Sequence, residues 1–263
     1  MSGRTEKLYI LSLLSGWVII FFVVFPIINT FAWTNYELVI EAMKDPQILR
    51  VIFRSMRTAT ITTGITALFA VPFAYYVVRH DFKYKKFVES IIDIPMVMPH
   101  TVAGIALLTV LSPKSFFGRF LVANGIEVLG TEIAIVIAMA FVSLPLMFDA
   151  AKEAFKWIPP RLENVSRSLG ASHWSTFVRI TLPLASKDLI SGMIITWARA
   201  ISEFGAVIML AYHPMIAPTL IYERYTTYGM TYAVPVTVIL LILSLLIFVI
   251  LRLVSVNRFR RGV

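Results

Sequence analysis

The chain contains no cysteine, and only 15% of its 263 residues carry a charged side chain. Without a thiol there can be no disulfide, no zinc–thiolate centre and no cysteine nucleophile. The histidines, His80, His100, His173 and His213, lie too far apart in sequence to form a local metal-binding motif. A soluble domain carries roughly 25% charged residues; here the deficit accompanies 58% hydrophobic residues and a mean hydropathy of +0.80. That balance excludes an ordinary soluble domain and indicates an integral membrane protein. A G-x-x-x-x-G-K-[ST] phosphate loop is also missing, so any ATP chemistry requires a separate chain. No Ser/His, paired-aspartate or metal-ligand pattern falls within the apolar stretches, which argues against a membrane-embedded enzyme. An ion-gradient-driven transporter would lean on intramembrane acids and inverted repeats, and no repeat is visible.

What the chain has instead is long apolar runs. Six stretches match the roughly 20 residues needed to cross a bilayer: residues 9–31, 57–78, 87–111, 132–155, 180–212 and 232–254. The first is too long for a signal-peptide core and lacks a small-x-small cleavage site, so it reads as a retained span. Pro72, Pro95, Pro99 and Pro145 predict kinked helices whose freed carbonyls are satisfied by neighbours.

A net charge of +9 could suggest nucleic acid, but the placement of the basic residues points to a membrane topology. Arg4 and Lys7, the group from Arg79 to Lys86, the group from Lys152 to Lys187, and Arg252 to Arg261 all fall on one side of the six spans. The positive-inside rule makes that side, and both termini, cytoplasmic. Arg50, Arg54 and Arg57 fall in the first outer loop and oppose the rule; they serve either as interfacial anchors or to attract an anion.

Between the fourth and fifth spans runs the polar segment "LENVSRSLGASHWSTFVRITLPLA", Leu162 to Ala185. Pro159 and Pro160 stop the preceding span and suit the start of a short helix near Arg161. Leu162, Val165 and Leu169 then form an apolar stripe, with Glu163 and Arg167 placed as an i, i+4 pair on another face. Gly170 is positioned to end the helix at positive φ, and Ser172 to cap a second turn carrying Trp174 and Phe177.

The run Glu163, Arg167 and "SLGA" (Ser168 to Ala171), then nine residues and "ITLP" (Ile180 to Pro183), resembles the cytoplasmic signature of ABC importer permeases, E-A-A, three residues, G, nine residues, I-x-L-P. Asn164, Val165 and Ser166 stand where that signature has E-A-A. The stretches Pro72 to Leu108, Phe141 to Phe155 and "WARAISEFGAVIML" (Trp197 to Leu210) resemble permeases of the sulfate, molybdate and tungstate branch. The resemblance implies an all-α membrane protein with the type I importer permease fold: six transmembrane helices and a cytoplasmic coupling helix between the fourth and fifth spans. It implies that Leu162, Glu163, Val165, Arg167, Leu169, Gly170 and Ala171 engage a cytoplasmic ATPase subunit. It further implies two ATPase subunits, a second permease copy, an external oxyanion-binding protein, and a molybdate or tungstate cargo, with sulfate or another solute as the alternative. No cofactor is expected in this chain, ATP and magnesium being bound by the partner. The chain ends soon after "RFRRGV", so a single permease domain over residues 1–263 without a regulatory domain is expected.

Arg199 and Glu203 fall inside the fifth span, where an unpaired charge costs at least ~2.5 to 3.5 kcal/mol. At i, i+4 they either pair to fix packing or a gate, or Arg199 offers hydrogen bonds to a passing dianion that Glu203 keeps from binding tightly. Ser202 and Gly205 beside them are small enough to line a pathway or a close helix contact. His100 after Pro99 and Ser143 before Pro145 read as satisfied interior polar groups. Tyr222, Tyr225, Tyr228 and Tyr232, with Trp33 and Tyr36, suit an outer interface, or contact with the binding protein that the resemblance implies.

Overall fold

The computed structural model describes residues 2–260, with side chains described from residue 8 to residue 253. Every regular element among them is helical. In chain order these are α1 Ser2–Ala32, α2 Tyr36–Lys44, α3 Pro46–Arg79, α4 Lys85–Val97, α5 His100–Leu111, α6 Phe116–Ala123 and α7 Glu132–Lys156. Then come α8 Pro160–Ser168, α9 His173–Thr176, a π turn at Phe177–Thr181, α10 Leu182–Ile201, α11 Gly205–Leu210, α12 Ala217–Tyr228 and α13 Met230–Arg260. Polar caps mark several starts. Asn35 accepts from the Glu37 amide before α2 and Ser115 from the Gly118 amide before α6, relieving amides that have no partner within the helix.

Among the described residues four helices are long and apolar enough to cross a membrane: Leu8–Ala32, Pro46–Arg79, Glu132–Lys156 and Met230–Leu253. The expected third span is not one straight helix. Pro99, which lacks an N–H, separates α4 from α5, and the two are bent by 112°. The expected fifth span is interrupted too. α10 carries Lys187, Asp188 and Arg199, and its helix stops at Ile201 before α11 begins at Gly205. Arg50, Arg54 and Arg57 lie on α3 rather than in a loop, because Pro46 opens that helix well ahead of the apolar run.

The chain divides into two compact units. One holds the chain up to Leu49 together with Ile221–Ile242. In it α1 turns its apolar side chains outward, none of its span being buried, and Asp45 lies 3.8 Å from Arg224. The other unit holds Arg50–Leu220 and the chain from Leu243 onward. Two apolar clusters build it. The first gathers Ala103 of α5, Ala134, Ile135, Ala138 and Met139 of α7, Trp197 and Ala200 of α10, and Ala206 and Val207 of α11. The second gathers Ala70, Ala74 and Val77 of α3 with Phe148, Ala151 and Phe155 of α7 and Ala185 and Leu189 of α10. The frequency of alanine lets backbones approach, and Gly192 of α10 takes this furthest: a Cβ there would stand 2.5 Å from that of Ala150.

Candidate functional site

The segment from Pro159 to Thr181 folds by local rules and is then tied down from afar. Pro159 precedes the first turn of α8 and Pro160 occupies it, where a missing N–H costs nothing. At the other end Gly170 sits at φ +90°, its amide donating to the Arg167 carbonyl and that of Ala171 to the Ser166 carbonyl. These are the paired bonds of a Schellman turn, which glycine reaches without the cost a Cβ would impose. Ser172 caps α9 by accepting from the Ser175 amide at 3.2 Å. The π turn follows because Pro183 has no N–H to offer and its ring would crowd the carbonyl four residues back; the Leu182 amide reaches the Phe177 carbonyl, five residues back.

α8 is amphipathic in an inverted sense. Its inward face is polar, Glu163 and Ser166 being the buried residues. Its apolar stripe faces outward: Leu162, Val165 and Leu169 are 43%, 52% and 84% exposed. With Pro159, Arg161, Ser166, Ala171 and Ile180 they line an open groove of about 810 Å³. Trp157 and Trp174, also exposed, lie just outside the two ends of α8 in sequence.

Glu163 does not pair with Arg167, which lies on the exposed face. Its carboxylate instead accepts from Arg79 of α3, through Nε at 2.9 Å and Nη2 at 2.8 Å, from the Thr181 hydroxyl at 2.9 Å and from the Tyr75 hydroxyl at 3.1 Å. Arg79 also donates to the Ile158 carbonyl at 3.1 Å. A deep pairing across the molecule has replaced the pair along the helix because Glu163 turns toward the cluster where Tyr75, Phe155 and Phe177 meet. Burial disfavours the charged carboxylate, but the bonds from Arg79 and Thr181, the Arg79 charge and the Tyr75 hydroxyl outweigh it and hold the carboxyl below its ordinary value. Ser166 adds a buried bond to Thr176 at 3.1 Å.

The second group of candidate residues meets where two helix breaks face each other. Arg199 donates to Glu203 Oε2 at 2.9 Å, as their spacing predicts. They do not share a continuous helix, however. Glu203 lies in the break between α10 and α11, and its Oε1 accepts the Ala206 amide at 2.8 Å, capping α11. His100, the first residue of α5, joins them: Arg199 Nη2 lies 3.0 Å from both ring nitrogens, and Glu203 Oε2 lies 3.4 Å from Nδ1. An atom equidistant from Nδ1 and Nε2 lies over that edge of the ring rather than along one lone pair. Glu203 is 1% exposed. Gly205 is a close contact, since a Cβ there would stand 2.7 Å from that of His100. Ser202 is exposed, with its hydroxyl on the Arg199 carbonyl at 3.0 Å.

Arg54 and Arg57 both reach Glu132, the first residue of α7. Arg54 does so at 3.1 Å and also donates to the Met215 carbonyl at 2.8 Å, so one carboxylate serves two guanidinium groups. Sequence reasoning did not identify Tyr75, Arg79 and Thr181 as the partners of Glu163, since no local signature links them, and it read His100 as a satisfied interior polar group rather than as a neighbour of Arg199 and Glu203.

The model of the family described as "binding-protein-dependent transport system inner membrane component" matches residues 66–261. The molybdate/tungstate transport system permease protein WtpB of Thermococcus kodakarensis is 40% identical over 95% of this chain and 96% of its own. WtpB of Pyrococcus abyssi is 38% identical over 96% and 97%. A chain of the bacterial alginate ABC transporter, solved with an alginate pentasaccharide-bound periplasmic protein, superposes with a TM-score of 0.74 over 98% of this chain and 96% of that one at 19% identity. The all-helical fold is therefore that of a type I ABC importer permease. With the family's model matched over most of its length, the chain belongs to the inner-membrane components of binding-protein-dependent transport systems.

Proposed function

We propose that this chain is the permease subunit of an ABC importer that carries molybdate or tungstate into the cell. The whole chain acts as one permease domain of six spans, counting the bent pair α4/α5 and the interrupted pair α10/α11, with both termini cytoplasmic. It works with a second copy of itself, two cytoplasmic ATPase subunits that bind ATP and magnesium, and an external oxyanion-binding protein. The cargo follows from the WtpB relatives, which match nearly end to end.

The observation that carries the coupling role is the inverted amphipathicity of α8. A helix that buries its acid and exposes Leu162, Val165 and Leu169 along an open groove is built to receive another surface. Arg167, Gly170 and Ala171 complete that face. In vesicles containing the permease, its ATPase and its binding protein, ATP-driven uptake of molybdate or tungstate is expected, with little competition from sulfate. Sulfate uptake at equal efficiency would overturn the choice of cargo. Gly170→Arg is expected to leave the chain in the membrane but to abolish the stimulation of ATP hydrolysis by the loaded binding protein. Normal stimulation would overturn the coupling role.

The contacts among Arg199, Glu203 and His100 favour a structural or gating role for the Arg199–Glu203 pair, with Ser202 and Gly205 beside it. Replacing Arg199 by Met and Glu203 by Gln together is expected to restore most of the stability lost in either single change and to leave uptake intact. Recovered stability with lost uptake would instead make Arg199 a contact of the anion in transit.

A further inference from the structure

The inward face of α8 presents an unusual problem of attachment. A short surface helix is ordinarily held by its apolar stripe, but here that stripe faces outward. Apolar contact is also non-directional and lets a helix roll or slide. What secures α8 inward is polar: Glu163 on Arg79, Tyr75 and Thr181, and Ser166 on Thr176. These bonds fix orientation as well as position. They also converge: α3, the Ile158 carbonyl ahead of α8, α8 itself and the π turn that leads into α10 all meet at one carboxylate and its guanidinium.

We infer that Glu163 and Arg79 form the joint through which a displacement of α8 is passed to α3 and α10, with Tyr75 and Thr181 as positioning residues that keep the carboxylate aligned. This rests on the reading of α8 as the docking element. The joint lies within the chain, so the ATPase subunit does not need Glu163 for capture; it meets the exposed stripe. The acid serves the step after capture. Thr181 belongs to the π turn that opens into α10, and Arg79 closes α3, so a push on α8 acts on the ends of two long helices without slip.

The test uses the complete transporter in phospholipid vesicles, with molybdate uptake and phosphate release measured on the same samples. Glu163→Gln and Arg79→Gln are expected to retain the ATPase subunit and to hydrolyse ATP, while uptake per ATP falls by at least ~5-fold, the lower end of ordinary coupling between linked sites. Arg79→Lys, which keeps the charge but not the fork, should recover part of the ratio. Should either glutamine variant fail to assemble, Thr181→Val and Tyr75→Phe remove one hydrogen bond each and leave the ion pair; both should lower the ratio by a smaller factor. An unchanged ratio in the assembled glutamine variants, or in both milder ones, would overturn the joint. Leu169→Asp separates the two ideas, since it should lose the ATPase subunit altogether. Normal capture by that variant would overturn the docking reading and the joint with it, whereas an unchanged ratio with Leu169→Asp behaving as expected would overturn the joint alone.

Discussion

Among the described residues two glutamates are buried, and each is held by an arginine, yet the two arrangements differ in kind. Glu163 is bound from far away in sequence: Arg79 is 84 residues distant, Tyr75 is 88 and Thr181 is 18. Glu203 is bound mainly by its neighbours, Arg199 four residues back and the Ala206 amide three residues ahead, with His100 as the distant partner. The first carboxylate joins three separate elements, α3, α8 and the π turn ahead of α10. The second stabilises a break in one helix and closes it against another. A buried acid can thus serve as a fastening between elements or as a cap within one, and its surroundings tell which.

The contrast is sharpest when each arginine is removed. Arg79→Met takes away the opposite charge and both guanidinium bonds, leaving the Glu163 carboxylate, 9% exposed, with two neutral hydroxyls, so a loss of ~3 to 5 kcal/mol is expected, as for other broken buried pairs. Arg199→Met should cost less, ~1 to 3 kcal/mol, because Glu203 keeps the Ala206 amide and His100. Thermal unfolding of the purified chain in detergent measures both, and equal losses would erase the distinction. Next in size is Gly205→Ala. The new methyl must push against the His100 Cβ, and overpacking of this kind costs ~1 to 3 kcal/mol. A neutral outcome would mean that the two breaks are not pressed together.

Gly170→Ala is a different case. Nothing lies within 4 Å of the added carbon, so only the φ of +90° opposes it, at a cost of ~1 to 2 kcal/mol confined to the end of α8. The smallest effect is on acidification. Because the Glu163 carboxyl is held below its ordinary value, its contribution to stability is fully present above the unfolded-state value of about 4.3 and is lost as pH falls through the lower folded value. Subtracting the melting curve of Glu163→Gln from that of the unaltered chain should therefore leave a difference that is flat above about pH 5 and shrinks in stronger acid. A difference that grew on acidification would reverse the sign assigned to this carboxylate.

Much of α8 was legible from sequence because its rules are local: prolines before, glycine after, Ser172 as the next cap. The pairing of Arg199 with Glu203 was legible for the same reason, spacing along the chain. Helix ends that depend on tertiary contacts were not. The stop at Ile201 exists because Glu203 gains an amide and His100 by leaving the helix, and no periodicity records that. The partner of Glu163 was hidden for a related reason. In sequence Arg79 is one of four basic residues at the end of a span, and only the fold separates it from Lys83, Lys85 and Lys86. The outward direction of the apolar stripe was equally hidden, since a periodic stripe does not say which way it faces.

The π turn at Phe177–Thr181 bears on how this sequence can be aligned and altered. One residue more or fewer in an α-helix rotates everything beyond it by about 100°. A five-residue turn therefore acts as an insertion absorbed inside a helix, and it sets the angular phase between Thr176, whose hydroxyl meets Ser166, and the Ala185, Leu189 and Gly192 face of α10. Deleting Val178, at a surface position, would remove the residue that the turn absorbs and let a regular α-helical turn form with Thr176 and Gly192 still in phase, whereas deleting a residue within α10 ahead of Gly192 would rotate it away from Ala150. Among relatives, a single-residue gap at this point would mark a regular helical turn in place of the π turn, with the phase of α10 kept, rather than a loop variation.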